Sequence, residues 1–214
     1  LRELGRGGEG RVLEVFDRAR GQTVALKEAH GPRRPALADE FRLLHRLRHP
    51  HLVAVHDFFL TSPLDPSASA YTLEHVDGQD LLSACRSDPF ALPEVTDALL
   101  QGLAQLHIAG VAHLDLKPDN VLVAKGTSRV RLIDFGIAHP LGQPLTRVFG
   151  SRSYIAPELA EGVHVSPSAD LFGLGVLLGE CLFAQSTPKP ATAVRALADL
   201  PLGQRQLALC EAAR

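Results

Sequence analysis

The sequence predicts an α+β protein in which a mainly β region comes before a mainly helical region. Residues 11–15 and 23–28 carry the alternating and β-branched side chains that are typical of strands. From residue 77 onward the apolar residues recur at helical spacing instead. We therefore predict a small β domain at residues 1–76 and a larger helical domain at residues 77–214, whose tail from about residue 185 stays unassigned.

The first domain is predicted to contain one helix, at residues 35–48. Three leucines recur there at helical spacing, and the His-Pro pair that follows is typical of a helix end. Further strands are expected at residues 52–59 and 70–75. The stretch between them, residues 62–69, is rich in turn-forming residues, so we expect it to be exposed.

The second domain is predicted to contain at least two long helices. Pro93 suits the first turn of a helix that runs to about residue 109, and Gly110 suits its C-cap. The longest apolar run, residues 171–184, contains three glycines and Glu180, and it is too short to cross a bilayer core of about 30 Å. We predict a buried helix for this run.

Composition excludes several classes of protein. A chain of 214 residues with 45% hydrophobic residues can bury a core in one domain or two small lobes. A formal net charge of −2 argues against a general nucleic-acid binder, which needs a basic surface. Cys85, Cys181 and Cys210 lie far apart with no CxxC pair, which predicts neither a disulfide framework nor a zinc site.

The origin of the chain can also be inferred. Reduced cysteines are typical of the cytoplasm, which is the expected location. No signal peptide is visible and the sequence begins at Leu1, so we expect a segment excised from a longer polypeptide with further domains. We expect this segment to make no membrane contact.

Two short polar segments carry the groups needed for phosphoryl transfer. Asp115 would orient an acceptor hydroxyl and accept its proton, and Lys117 would neutralise a γ-phosphate. Asn120 and Asp134 would supply oxygen ligands of the kind that Mg²⁺ prefers. The pattern predicts transfer of a phosphoryl group from a Mg-bound nucleotide to a hydroxyl.

Five motifs follow one another in a recognisable order. They are a glycine-rich segment at residues 5–12, Val-Ala-Leu-Lys at 24–27, the catalytic segment at 113–120, Asp-Phe-Gly at 134–136 and Ala-Pro-Glu at 156–158. In this set the chain resembles the protein kinase superfamily, most closely the eukaryotic-like (Hanks-type) bacterial Ser/Thr kinases. The resemblance implies a bilobal protein-kinase-like fold, with a small antiparallel β lobe containing one helix and a larger, mainly helical lobe that looks C-terminally shortened.

The resemblance also implies a site for ATP with Mg²⁺ or Mn²⁺. The glycines expected to cover its phosphates are Gly5, Gly7 and Gly10, which let backbone amides approach without a Cβ in the way. Lys27 would hold the α- and β-phosphates. Its expected acidic partner is Glu40, because its offset from the His-Pro pair matches the family's and because it shares a helix face with the leucines. Asp39 points about 100° away and is the weaker candidate.

The adenine pocket is assigned by resemblance as well. Its expected members are Val12, Ala25 and Leu122 against the adenine faces, Leu73 as gatekeeper, the backbone of Glu74 and Val76 at the adenine edge, and Asp80 at the ribose hydroxyls. The same apolar residues would look identical in an ordinary core. By family analogy, His113 is expected to pack under Phe135 and Leu44 as scaffold, and it is not expected to bind a metal.

Two departures from the family pattern affect control. Leu114 stands where regulated members carry Arg, so it cannot grip a phosphate at Thr146 on the activation segment; this predicts a non-RD kinase. The family Arg that pairs with Glu158 has only Arg205 or Arg214 as substitutes.

Three functions stay open at this point. Lys117 and Ser151, whose hydroxyl would bridge Asp115 and Lys117, resemble the Ser/Thr branch and favour a protein kinase that acts on Ser/Thr side chains of protein substrates. A pseudokinase, or ATP-binding scaffold, is favoured by the shortened lobe but opposed by the complete set of catalytic residues. A small-molecule kinase ranks last, because such enzymes generally lack the Ala-Pro-Glu segment.

Overall fold

The computed structural model describes residues 1–7, 10–87, 92–125, 127, 129–145, 152–160 and 164–186. The chain divides into two compact units, Leu1–Asp77 and Gly78–Arg214. The division falls one residue after the boundary predicted at residue 76. Unit 1 is mainly strands and unit 2 is mainly helices, so the α+β fold class is confirmed.

Unit 1 is built on a five-stranded antiparallel sheet. Its strands are β1 (Arg2–Gly7), β2 (Gly10–Asp17), β3 (Gln22–His30), β4 (Val55–Phe59) and β5 (Ala68–Glu74), in the order β1-β2-β3-β5-β4. Strand β3 lies in the centre, and its residues 24–29 are all buried. Such a continuous buried run is expected of a strand that is covered on both faces.

One helix, α1 (Arg34–Arg46), packs against this sheet after a short 3-10 turn at Gly31–Arg33. Leu37 and Leu44 are buried, and the Phe41 ring lies 5.3 Å from Phe58 and 5.8 Å from Tyr71, measured between centroids. The helix ends two residues before the predicted position, because Leu47 adopts an extended backbone.

The expectation that residues 62–69 are exposed is wrong at both ends of the stretch. Ser62, Ala68 and Ser69 are almost fully buried. Their polar groups make hydrogen bonds to neighbouring elements, which is what permits their burial. Turn-forming composition predicted a loop correctly but did not predict how tightly the loop is held.

Unit 2 contains four helices, five short strands and two 3-10 turns within its described residues. The helices are α2 (Leu81–Ser87), α3 (Leu92–Ile108), α4 (Pro157–Ala160) and α5 (Pro167–Ser186). The strands are β6 (Gly78–Asp80), β7 (Val111–Ala112), β8 (Val121–Ala124), β9 (Val130–Leu132) and β10 (His139–Pro140). The 3-10 turns are at Pro118–Asn120 and Arg152–Tyr154. Strands β6, β8 and β9 form one antiparallel sheet, and β10 pairs with β7. Gly110 follows α3 with φ +78°, the left-handed conformation expected of a C-cap glycine.

Helix α5 contains the predicted apolar run. Its segment Pro167–Ala184 is long and apolar enough to cross a membrane by length and composition alone, and 44% of that segment is buried inside the protein. A core helix of a soluble protein meets the same criteria. The buried residues of α5 include Asp170 and Glu180, which accept hydrogen bonds from other parts of unit 2.

Candidate active site

A buried ion pair joins the central strand of unit 1 to its helix. The Lys27 ammonium lies 2.8 Å from Oε1 and 2.9 Å from Oε2 of Glu40, and both residues are about 5% exposed. Asp39, the weaker candidate, is on the exposed side of α1, where its carboxylate accepts a 2.6 Å hydrogen bond from Arg42. The strand therefore presents one ammonium whose orientation is set by the helix.

The register of the sheet gathers several predicted pocket residues on the face that carries Lys27. Val12 lies opposite Lys27 across β2 and β3, and Leu73 lies opposite Ala25 across β3 and β5. Ala25 and Lys27 are two residues apart on one strand, so their side chains point to the same face. Ala25 and Leu73 are buried and Val12 is half-buried, which gives this face an apolar surface beside the ammonium.

The segment after β5 carries the two predicted backbone positions. The Glu74 N–H donates to the Ala54 carbonyl at 2.8 Å, which fixes the end of the strand. Val76 is half-buried two residues further on.

Packing within unit 1 explains only one of the three predicted glycines at its start. Gly10 has φ +143°, and a Cβ placed on it would lie 1.9 Å from the Glu28 carbonyl oxygen. No other residue fits there, because β2 approaches β3 too closely. Gly5 and Gly7 have open space where a Cβ would be, so packing within unit 1 does not require glycine at either position.

In unit 2 three of the predicted catalytic residues form one bonded cluster. The Lys117 ammonium lies 2.5 Å from Oδ2 of Asp115, and the Asn120 amide donates to that same oxygen and to the Asp115 carbonyl, both at 2.8 Å. Both contacts span five residues or fewer, because a 3-10 turn at Pro118–Asn120 folds the segment back on itself. With its NH₂ group engaged, the Asn120 side chain keeps a carbonyl oxygen for another partner.

His113 is fully buried and holds this cluster in place. Its Nδ1 accepts a hydrogen bond from the Asp115 N–H at 3.2 Å, and its Nε2 lies 3.1 Å from the Ile133 carbonyl. These partners suit the neutral tautomer with hydrogen on Nε2. The ring also packs edge-on against Phe135, with centroids 4.8 Å apart, as the scaffold interpretation expected.

Asp170 is a functional residue that sequence reasoning missed. Its buried carboxylate accepts hydrogen bonds from the backbone N–H groups of His113 at 2.9 Å and Leu114 at 2.8 Å. His107 Nε2 lies 2.8 Å from the same carboxylate. The sequence did contain a signal for Asp170, because it lies in the first turn of a long apolar helix. A carboxylate that is buried in such a helix requires hydrogen-bond partners.

Two residues beside the catalytic groups have a left-handed backbone. Leu114 has φ +66° and Asp134 has φ +62°, and these are the only non-glycine residues with positive φ in the part of the chain that the structure describes. This conformation costs of the order of 1 kcal/mol in each residue. The bonds from Asp170 and the turn after β9 must outweigh that cost.

Comparisons with known proteins identify the family of the chain. A model of the protein kinase domain matches residues 1–199. The chain belongs to the protein kinase domain family. It is 35% identical over 195 residues to a probable serine/threonine-protein kinase of Streptomyces coelicolor, covering 84% of this chain and 29% of the relative.

Two further relatives have the same character. Serine/threonine-protein kinase PknA of Mycobacterium tuberculosis is 35% identical over 191 residues, which are 82% of this chain and 44% of PknA. Mitogen-activated protein kinase p38b of Drosophila melanogaster is 30% identical over 195 residues, which are 85% of this chain and 53% of p38b. The kinase domain described here therefore spans about half or less of the length of these relatives.

The remaining predicted positions of the kinase domain lie in or near the small sheet of unit 2. Leu122 and Asp80 are opposite one another across β8 and β6. The Asp80 carboxylate accepts hydrogen bonds from the Ser83 N–H at 3.0 Å and the Ser83 hydroxyl at 2.6 Å, so it caps helix α2. A ribose hydroxyl at Asp80 would have to share these oxygens, each of which has a second lone pair.

The end of the kinase activation segment is anchored on α5. The Tyr154 hydroxyl donates to Glu180 at 2.6 Å, and burial together with this carboxylate raises the pKa of Tyr154. Glu158 accepts a hydrogen bond from Ser168 at 3.0 Å. Five residues named from the sequence lie outside the described residues: Thr146, Ser151, Arg205, Cys210 and Arg214.

Proposed function

We propose that this chain is the catalytic domain of a protein serine/threonine kinase that transfers the γ-phosphoryl group of ATP to Ser or Thr hydroxyls of protein substrates. The observation that carries the proposal is the bonded cluster of Asp115, Lys117 and Asn120, which combines a carboxylate, a cation and an oriented amide. The names of the relatives support the same activity and the same acceptor class.

Unit 1 has the chemistry of a nucleotide site. Lys27 is a single ammonium oriented by Glu40, which suits the α- and β-phosphates of ATP. Beside it lies the apolar face with Val12, Ala25 and Leu73, which suits a purine ring. Gly5 and Gly7 have no neighbouring atoms where a Cβ would be, so backbone amides there can approach phosphate oxygens.

The donor set of unit 2 fits a hard divalent cation, Mg²⁺ or Mn²⁺. Asn120 and Asp134 would hold it through oxygen atoms, and the hydrogen bonds from the Asn120 NH₂ group support an outward-facing amide oxygen. When bound, the metal–ATP complex supplies the phosphoryl group and shields its charge.

The residues of unit 2 account for the rest of the chemistry. Asp115 orients the acceptor hydroxyl and accepts its proton, while Lys117 neutralises negative charge that develops on the transferred group. Their 2.5 Å contact keeps the cation beside the carboxylate. By resemblance, the Ser151 hydroxyl bridges these two residues in the Ser/Thr branch.

Control is proposed to be of the non-RD type. Leu114 offers no charge to a phosphorylated activation segment, and its backbone N–H is already bonded to Asp170. The positive φ of Leu114 is a strained conformation that persists only when surrounding contacts hold it. It therefore supports a loop that is held by contacts within the protein and not by an added phosphate.

The cellular setting is proposed from the same residues. Use of ATP and the two buried free thiols, Cys85 and Cys181, suit the cytoplasm. The greater length of the relatives supports further domains in the full protein. The chemical competence of Lys27, Asp115, Asn120 and Asp134 argues against a pseudokinase.

Incubation with γ-labelled ATP, Mg²⁺ and a general Ser/Thr acceptor protein tests the proposal, with the Asp115→Asn variant as control. Phosphoamino-acid analysis should find phosphoserine or phosphothreonine with the wild type and almost none with the variant. Nucleotide binding without transfer would support a pseudokinase. Label on phosphotyrosine alone would contradict the acceptor class.

A further inference from the structure

The start of helix α1 has a proline in its first turn but no capping side chain. Its N-cap, Arg33, makes no side-chain hydrogen bond to the helix, and the first turn contains no acidic residue. The helix instead begins with Arg34, whose positive charge is unfavourable at the positive end of a helix dipole. The position of Arg34 is therefore not explained by the helix itself.

Arg34 makes its side-chain contacts at the connection between strands β4 and β5. Its Nε donates to the Ser69 hydroxyl at 2.8 Å, and its Nη2 donates to the Leu60 carbonyl at 2.7 Å. Ser69 is 3% exposed and donates in turn to the Leu60 carbonyl at 2.8 Å. The three residues form a closed triangle that ties the first turn of α1 to the sheet.

The sheet at this point is continuous with the strand that carries Lys27. Ser69 pairs with Ala29 across β5 and β3, and Tyr71 pairs with Lys27 two residues along. Glu40 lies six residues after Arg34, which is about 9 Å along the helix axis. A rigid tie at Arg34 therefore limits how far Glu40 can move away from Lys27.

We infer that Arg34 is a positioning residue that holds helix α1 against Leu60 and Ser69 so that Glu40 stays bonded to Lys27. The inference rests on the proposed kinase function only for its effect on turnover. All of its contacts lie within unit 1, so the tie operates without a phosphate on the activation segment. The Arg34 contacts would therefore order the Lys27–Glu40 pair without the phosphate contact that Leu114 cannot make.

The test compares Arg34→Gln, Arg34→Lys and Ser69→Ala with Arg42→Gln in the full chain. Arg42 is the matched control, because it lies on the same helix and pairs with Asp39, and both of these side chains are exposed. Labelling of the Lys27 ε-amine by an amine-reactive reagent, measured by mass spectrometry against the exposed Lys125, reports on the ion pair without any kinase activity. Thermal unfolding and steady-state kinetics complete the set.

Arg34→Gln should increase Lys27 labelling and lower kcat about tenfold, with the KM for ATP changed less than about threefold. Arg34→Lys should restore part of both, because an ammonium can replace one of the two bonds. Ser69→Ala should lie between wild type and Arg34→Gln, and Arg42→Gln should match wild type.

Wild-type Lys27 labelling and kcat in folded Arg34→Gln would overturn the inference, as would equal losses in Arg34→Gln and Arg42→Gln. If Arg34→Gln fails to fold, Ser69→Ala decides: unchanged labelling in that variant counts against the tie. A wild type without kinase activity would refute the proposed function, while the labelling would still test the role of Arg34.

Discussion

The two units hold their charged groups in different ways. In unit 2 the contacts among Asp115, Lys117 and Asn120 span two to five residues. In unit 1 Lys27 and Glu40 are 13 residues apart on a strand and a helix. The first cluster is built by one turn of the chain, whereas the second depends on where a whole helix packs.

Because of this difference, we expect the charged groups of the two regions to respond differently to changes elsewhere in the protein. The unit 2 cluster is fixed by backbone geometry, by the buried carboxylate of Asp170 and by His113. The unit 1 pair depends on how helix α1 packs on the sheet, because Lys27 and Glu40 lie on different elements. The fixed region suits bond making, whereas the pair in unit 1 is sensitive to any change that alters the packing of helix α1.

The largest expected effect concerns the Lys27–Glu40 pair of unit 1. Lys27→Ala and Glu40→Ala should each lower phosphotransfer at least about a hundredfold, and the double variant should be little worse, because both remove one unit. Steady-state kinetics of the four proteins measure this. Additive losses would mean independent roles, and an active Glu40→Ala would show that the pair is not required.

A smaller effect should follow from loosening the fixed region. Asp170→Asn keeps an acceptor oxygen but removes the charge that holds the His113 and Leu114 N–H groups, so turnover should fall about tenfold. The melting temperature should fall as well, since a buried charge-assisted network is weakened. Asp39→Asn, which changes an exposed aspartate, is the control. An Asp170→Asn protein with wild-type turnover would show that the loop holds itself.

The next prediction concerns whether activity depends on a phosphate on the activation segment. Thr146→Ala should retain most of the wild-type activity, because Leu114 offers no counter-charge to a phosphate on Thr146. Mass spectrometry must establish whether wild-type Thr146 is phosphorylated. If it is, a loss of activity of more than about tenfold in the variant would contradict phosphorylation-independent activity.

The smallest expected effect is on the pH dependence of stability, and it arises from His56 in unit 1. Burial, and then the charge of Arg20, lower the pKa of His56 below its ordinary value of 6.5. The unfolded chain therefore binds the proton more readily, so stability is lost as the pH falls below that value. His56→Gln should unfold with a flatter pH dependence than wild type between about pH 7.5 and 5.5. His164→Gln, at an exposed position in unit 2, should follow the wild-type curve.

The same difference between the units explains what the sequence could predict. The Asp115, Lys117 and Asn120 cluster follows from a local motif, so its residues were identified without the structure. Glu40 was preferred to Asp39 because of its family-like offset from the His-Pro pair and because helical periodicity places it with the leucines. The structure pairs it with Lys27. The α+β class followed from the separation of strand and helix patterns and is confirmed.

Two groups of contacts between distant segments had no signal in the sequence that would pair their residues. Asp170 lies 57 residues after His113, and Ser69 lies 35 residues after Arg34, so no spacing rule joins them. The requirement for Gly10 also depends on a neighbouring strand, because its missing Cβ makes room for the Glu28 carbonyl. These residues act through tertiary packing, which a single sequence does not reveal.

The most direct test of the division of labour between the two units is the Asp115→Asn variant, measured for both single-turnover phosphotransfer and affinity for an ATP analogue. Turnover should fall at least about a hundredfold, because an amide cannot accept the hydroxyl proton. Nucleotide affinity should be nearly unchanged, because the proposed phosphate and adenine contacts of unit 1 are intact. Equal losses of turnover and affinity would contradict the assignment of the chemical step to Asp115.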